Sequence, residues 1–242
     1  MRRRSNVLNI TLLTLASLVI IGVIAGLAWR KVFVVRNIMI EGNAEVSQEE
    51  IIREAQVEMG GHITRVDAGT LKTNLESGGV YALDGVKTKL PNTVILSVRR
   101  RTRDAVVRNG GKYLVLDSDG YVIESNPSMP EDGGVYVYGL DATSYRIGGR
   151  ITAPEEKLQA MKTVLDSIRS QNAKQYVSDI TVSDVDAMVI TTRTGMRVKL
   201  GDAQNMENKI LWMCSAVSDL ESRGDTRGTL DVSSGTKADY TP

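Results

Sequence analysis

The chain has one cysteine, one histidine and one phenylalanine in 242 residues, five prolines, and no excess of either charge, with 30 lysines and arginines against 29 aspartates and glutamates. Each scarcity closes a class of function. A single thiol, Cys214, excludes an internal disulfide and leaves stability to ordinary hydrophobic cores. Its place on an apolar helical stripe makes it core filler rather than a nucleophile. A single imidazole, His62, rules out a histidine-rich metal site and any scheme with two imidazole bases. Its neighbours Gly61 and Ile63 put it in a turn between helices as an exposed structural residue. Balanced charge without a polybasic or acidic tail gives no reason to invoke nucleic acid.

Catalytic signatures are missing as well. The sequence contains no HExxH, GxSxG, GxGxxG or Walker A arrangement. Ser234-Gly-Thr-Lys237 has the SxxK spacing of penicillin-binding enzymes, but that pattern needs a helix, Gly235 opposes one, and no S-D-N or K-T-G motif accompanies it. Asp117-Ser-Asp119-Gly120 lacks the ligand spacing and distal glutamate of a calcium loop and reads as a hairpin turn. Arg223-Gly-Asp225 follows a helix end, where a glycine turn is needed in any case. No cofactor and no metal are expected.

Long apolar runs are equally scarce, with one exception. Residues 7–29 carry no charge. As a helix they are about 34 Å long, enough to cross a hydrocarbon core of about 30 Å. Arg2, Arg3, Arg4 and the terminal amine outweigh Arg30 and Lys31, so residues 1–6 are expected in the cytoplasm and the rest outside the cell membrane, in a single-pass topology. Gly26 and Ala28 also suit signal cleavage before Trp29, although the apolar stretch is longer than the usual 7–15 residues. Gly22 and Gly26 form a GxxxG pair, the spacing of a helix-dimer face. The remaining residues suffice for one large or two small domains.

After the apolar run, residues 33–40 read as a strand, Gly42-Asn43 as a turn, and Ser47 with Glu50 as a capping box opening a helix that carries Ile51, Ile52, Ala55 and Val57 and ends at Gly60-Gly61. Asp67 caps a second helix with Leu71 and Leu75 on one face and Gly78-Gly79 at its end. Residues 80–89 and 93–99 alternate as two strands around Leu90-Pro91-Asn92. The result is a small α+β unit of order strand, helix, helix, strand, strand. Arg99, Arg100, Arg101 and Arg103 follow; a basic run there can meet lipid headgroups or an acidic partner, and the plainer reading is a solvated strand end.

From Asp104 onward the pattern is that of an antiparallel sheet, with hairpin signals at Asn109-Gly110, Asp119-Gly120 and Thr194-Gly195. Thr152-Ala-Pro-Glu155 reads as a second capping box, opening a helix that buries Leu158, Met161, Val164, Leu165 and Ile168. A final helix over residues 205–223 aligns Met206, Ile210, Met213, Cys214, Val217 and Leu220, and Gly224 stops it. Residues 228–233 then alternate as a strand, with Leu230 and Val232 on one face and Thr229 and Asp231 on the other. At the end of a sheet such a strand offers unpaired backbone groups to a partner segment.

Several of these stretches carry a family likeness. Val35-Arg-Asn-Ile-Met-Ile-Glu-Gly-Asn43, Val46-Ser-Gln-Glu-Glu-Ile51 and Leu90-Pro-Asn-Thr-Val94 resemble the POTRA domain of the FtsQ/DivIB family of bacterial cell-division proteins. Ala105-Val-Val, Gly111-Lys-Tyr-Leu-Val-Leu-Asp117 and Asp119-Gly-Tyr-Val122 resemble the start of that family's β domain. Leu200-Gly-Asp202, Lys209 and Leu230-Asp231-Val232 resemble its end. The chain departs from the family at Arg100-Arg101-Thr102-Arg103, where a Glu-Arg pair and a nearby proline are usual. The resemblance implies an α+β fold made of a transmembrane helix (residues 7–29), a POTRA domain (32–102, β-α-α-β-β) and an antiparallel β domain with flanking helices (103–242). It implies a non-catalytic scaffold at the division septum that binds FtsB/DivIC-like and FtsL-like proteins. The partner site carried over by position is Thr229, Leu230, Asp231, Val232 and Ser233 with Tyr240, and the POTRA unit is expected to dock other division proteins. Two alternatives stand beside it: a general extracytoplasmic POTRA assembly or chaperone protein, and a membrane-tethered cell-wall enzyme acting through Ser234 and Lys237.

Overall fold

A computed structural model of the chain describes residues 2–42 and 47–242; Asn43 and Val46, expected in a turn and ahead of a helix, lie outside them. The chain divides into two compact units, Met1–Leu75 with Ala82–Arg100, and Glu76–Tyr81 with Arg101–Pro242.

The first unit opens with helix α1 (Arg2–Val32). Its segment Leu13–Val32 has a mean hydropathy of 1.9 and is long and apolar enough to cross a membrane. Gly22 and Gly26 lie on its open surface, with room for a side chain at either position. The helix passes into the domain without a free linker. The Phe33 N–H donates to the Trp29 carbonyl, the Val35 N–H to the Gly61 carbonyl at 2.8 Å, and the Gly60 N–H to the Val35 carbonyl at 2.9 Å. Residues 33–36 are therefore taken up by the turn at 60–63 and by Asn92, and strand β1 (Asn37–Gly42) starts later than the alternation suggests.

Helix α2 (Gln48–Ala55), a short 3-10 turn (Ile63–Arg65), helix α3 (Ala68–Glu76) and strands β2 (Tyr81–Lys89) and β3 (Thr93–Arg100) complete the β-α-α-β-β order. The sheet runs β1-β3-β2, with β1 parallel to β3 and Ile38 opposite Val94. Ile38, Ile51, Leu71, Leu75, Val94 and Leu96 are buried. Each such side chain contributes about 1.5–3 kcal/mol on burial. Ser47 stands at the N-cap of α2 in extended conformation but makes no side-chain cap bond, so the Ser47–Glu50 box is not closed. The helix ends at Ala55, with Gln56 in the left-handed region, rather than at Gly60-Gly61, whose backbone serves Val35 instead. Asp67 does cap α3: its carboxylate accepts the Thr70 N–H at 3.0 Å and the Gly69 N–H at 3.3 Å. His62 is half-buried in the turn between helices, and its ring nitrogen Nδ1 caps the 3-10 turn at Thr64.

The second unit contains strands β4 (Ala105–Asn109), β5 (Lys112–Leu116), β6 (Val122–Asn126) and β7 (Val135–Tyr138), helix α4 (Glu155–Ser170), strands β8 (Val177–Thr181), β9 (Met188–Thr192) and β10 (Arg197–Gly201), helix α5 (Met206–Ser222) and strands β11 (Thr229–Asp231) and β12 (Asp239–Thr241). They form one sheet of order β12-β11-β10-β9-β8-β7-β4-β5-β6. It is mixed rather than wholly antiparallel. β4 and β7, β7 and β8, and β10 and β11 pair in parallel, the last two pairs because α4 and α5 carry the chain back to the same end of the sheet. The stripe Met206, Ile210, Met213, Val217 and Leu220 of α5 and the stripe of α4 pack on one face of the sheet as its main core. Cys214 is half-buried beside that core, and burial pushes its thiol up.

Two expectations fail in this unit for physical reasons. The box at Thr152 does not form: α4 starts at Glu155 behind Pro154, while Thr152 bridges Ser144 and Glu155 forks onto Arg150 at 2.8 and 2.9 Å. The arginine run is not uniformly a solvated strand end. Arg101 is 5 % exposed, its Nη1 lies 2.6 Å from Asp117 Oδ2, its guanidinium carbon lies 3.9 Å from the Tyr121 ring centroid, and Glu76 approaches at 3.7 Å. The carboxylates make burial of that charge tolerable. Arg103 pairs with Glu124, Arg99 with Asp84 in the first unit, and Arg100 is exposed.

Candidate functional site

The end of the sheet is built by the last two strands. β11 enters beside β10 in parallel, with Arg197 opposite Thr229 and Lys199 opposite Asp231, and β12 returns antiparallel, with Thr241 opposite Thr229 and Asp239 opposite Asp231. β11 is thus paired on both sides, and the edge belongs to β12. This corrects the expectation that the strand at 228–233 is itself the edge.

Hydrogen-bond alternation then tells which groups are open. Arg197 N–H donates to the Gly228 carbonyl, and Val232 N–H donates to the Lys199 carbonyl. Gly228, Leu230 and Val232 therefore turn their backbone to β10, while Thr229 and Asp231 turn theirs to Thr241 and Asp239. Tyr240 between them directs its N–H and C=O away from the sheet, where no strand follows among the described residues. Gly228 makes the close approach possible: its φ is +104°, and a Cβ there would come within 2.5 Å of the Thr241 carbonyl oxygen.

The six residues carried over from sequence are divided by this geometry. Leu230 and Val232 are in the core, at 1 % and 0 % exposure, and offer no side chain to a partner. Tyr240 packs its ring against the same core, and its hydroxyl donates to the Arg227 carbonyl at 2.8 Å. Thr229 and Asp231 lie on the opposite face, opposite Arg197 and Lys199 in register, and Asp231 lines a shallow depression with Arg197, Lys199, Val189 and Ser233. Ser233 donates its hydroxyl to Asp231 at 2.7 Å and its backbone N–H to the same oxygen at 3.0 Å, and these bonds hold the Asp231 carboxyl below the usual aspartate range. Lys237 pairs with Asp239 at 2.7 Å, which raises its ammonium. Arg197, Lys199, Asp239 and Thr241 are the residues that sequence reasoning passed over. A three-residue strand carries too little alternation to be read.

The connection before the edge is braced from beneath. Lys209 of α5 is 2 % exposed and places its Nζ 2.9 Å from the Asp202 carbonyl and 2.8 Å from Asp202 Oδ1. The same lysine stem and Asn205 approach Gly235, which sits at φ +68° in the turn between β11 and β12. The chemistry proposed for a wall enzyme is not assembled there. The Ser234 hydroxyl accepts from Thr236, Lys237 is turned to Asp239, and the segment is a turn rather than a helix. No metal-holding cluster of His, Cys, Asp and Glu occurs among the described residues.

Comparison with known proteins follows the same two units. Residues 33–101 match the FtsQ-type POTRA domain, and residues 105–232 match the C-terminal domain of the cell division protein FtsQ/DivIB. The chain is 22 % identical to the cell division protein DivIB of Clostridium tetani over 90 % of this chain and 83 % of that one. It is 24 % identical to the cell division protein FtsQ of Anaeromyxobacter over 99 % of this chain and 82 % of that one. The solved major extracytoplasmic domain of DivIB from Geobacillus stearothermophilus is 14 % identical, with a TM-score of 0.34 over 51 % of this chain and 97 % of that one.

Proposed function

Because the chain belongs to the FtsQ/DivIB family of cell-division proteins, we propose that it is a non-catalytic, membrane-anchored scaffold of the division machinery that captures a partner strand at β12. On this reading α1 is a single-pass anchor with its N-terminus in the cytoplasm and the two globular units outside, and Gly22 with Gly26 is a face for self-association. The POTRA unit, over residues 32–102, docks other division proteins. The β domain, over residues 103–242, binds an FtsB/DivIC-like protein and, through it, an FtsL-like protein at the forming septum.

The observation that carries the proposal is the open backbone of Tyr240 on the outermost strand of a nine-stranded sheet. An extended partner segment can add there as a further strand, its side chains meeting Asp239 and Thr241 on one face. The neighbouring Arg197, Lys199 and Asp231 supply charge to select it. The test is a photo-crosslinking residue at Thr241 in dividing cells, alongside a fluorescent fusion at the N-terminus. A crosslink to an FtsB/DivIC-like protein and a band at midcell support the reading. A midcell band without that crosslink removes the edge as the binding site, and a uniform membrane signal removes the division role.

A further inference from the structure

The end of the first unit that receives α1 displays exposed apolar and cationic side chains together. Outside α1, Met59 at 54 % and Leu90 at 64 % are with Met39 at 49 % the exposed large apolar side chains among the described residues of that unit. Both flank the entry of the membrane helix. Met59 precedes Gly60, which bonds Val35; Leu90 lies two residues before Asn92, whose carbonyl accepts the N–H groups of Arg36 and Asn37. Val35 follows the end of α1 by three residues and so lies within about 11 Å of the helix end along the chain, and the Met59 turn is bonded to it through Gly60.

On the same segments stand Lys89 next to Leu90, Arg36 bonded through its N–H to Asn92, and Arg65 lining one depression with Glu58 and Gly61, all exposed and without an ion pair among the described residues, in addition to Arg30 and Lys31 at the end of the helix itself. The acidic neighbours are Glu58 and Asp67, and the Asp67 carboxylate is occupied in capping α3. The junction is stiff as well as charged. The Trp29 and Phe33 rings lie 4.1 Å apart, the His62 ring lies 6.3 Å from Trp29, and the Arg36 guanidinium donates to the Lys31 carbonyl at 3.2 Å. Aromatic residues with cations beside them mark the membrane interface, and exposed apolar side chains ringed by cations are what an interfacial surface presents.

We propose that this end of the POTRA unit rests on the bilayer, with Met59 and Leu90 dipping into the interface and Arg36, Arg65 and Lys89 bound to anionic phospholipid headgroups of the leaflet at the C-terminal end of α1. The occupant is fixed by continuity, since the helix that ends at this surface is the membrane anchor, and the inference rests on that anchor reading. It holds for either orientation of the chain across the membrane.

The test uses the full chain with Cys214→Ser and Met59→Cys, carrying an environment-sensitive fluorophore at position 59, in nanodiscs of phosphatidylcholine alone or mixed with phosphatidylglycerol. Brominated acyl chains should quench the probe in the mixed discs, and each of Arg36→Glu, Arg65→Glu and Lys89→Glu should lower the docked-to-undocked ratio by at least about fivefold. A parallel label at Leu90→Cys guards against a local effect of the first. Probes that stay in water in both kinds of disc, in a chain that resists carbonate extraction, overturn the proposal and leave the anchor intact. Extraction by carbonate overturns the anchor reading itself. Quenching that is equal in both discs and indifferent to the glutamate substitutions overturns the anionic-headgroup assignment.

Discussion

Leu230 lies directly opposite Tyr240 across the last two strands, the first sealed in the core and the second closing the sheet with its hydroxyl on the Arg227 carbonyl. The strand that resembles the family's terminal motif is therefore the support of the edge, and its neighbour is the edge.

Substitutions in the two strands should separate accordingly. Leu230→Ala removes a fully packed side chain and is expected to cost about 2–5 kcal/mol, and Val232→Asp, which buries a charge without a partner, should prevent folding of the second unit. Asp239→Lys and Thr241→Lys should leave thermal unfolding within about 0.5 kcal/mol of the parent while weakening capture of the partner. Calorimetry and a pull-down on the same preparations separate the two effects; loss of folding in the Thr241 variant would contradict the surface placement.

Gly228→Ala tests the seating of β12. The added methyl meets the Thr241 carbonyl and forces a residue with a side chain into positive φ. Hydrogen exchange of the Asp239 and Thr241 amides, which face β11, should accelerate by at least an order of magnitude, roughly the effect of about 1.4 kcal/mol in local opening, with α5 and β8 to β10 unchanged.

Asp117→Ala should destabilise the second unit by about 3–5 kcal/mol, because it leaves the buried Arg101 guanidinium facing only the more distant Glu76. Replacing both members with apolar residues, Arg101→Met with Asp117→Leu, should recover a substantial part of that loss. Denaturant midpoints of the two variants decide it, and a double variant no better than the single one would show that the Asp117 bond to the Tyr121 N–H matters more than the charge.

The Asp231 carboxyl is held below its ordinary range by Ser233, so its contribution is present above the unfolded aspartate pKa of about 4 and is lost as pH falls through the lower folded value. Asp231→Asn should therefore lower the unfolding midpoint at neutral pH, where that contribution is present, and flatten its decline below about pH 4, where parent and variant converge. A decline of equal steepness in the variant would place the acid sensitivity elsewhere.

Much of the architecture was legible because long elements repeat their period. The stripes of α4 and α5, the Asp67 cap and the Asn109-Gly110 hairpin are written in several residues each, and the structure has them. What escaped depends on contacts between distant residues. Ser47 and Thr152 have cap spacing, but neither closes its box, and Thr152 is drawn into a bridge with Ser144. Arg101 looks like its exposed neighbours until Asp117 and Tyr121 fold over it. Parallel pairing of β10 and β11 is invisible locally, since only the crossover through α5 brings them together. The edge itself is three residues long and contains no alternation that marks it.

That shortness bears on how long a complex would last. A strand laid outside β12 finds the two backbone groups of Tyr240 and little more of the ladder, each bond contributing about 1 kcal/mol net. Backbone pairing alone would then release its guest quickly. A longer residence has to come from a second attachment, such as a partner tethered in the same membrane, whose proximity raises its local concentration without any new contact at the edge.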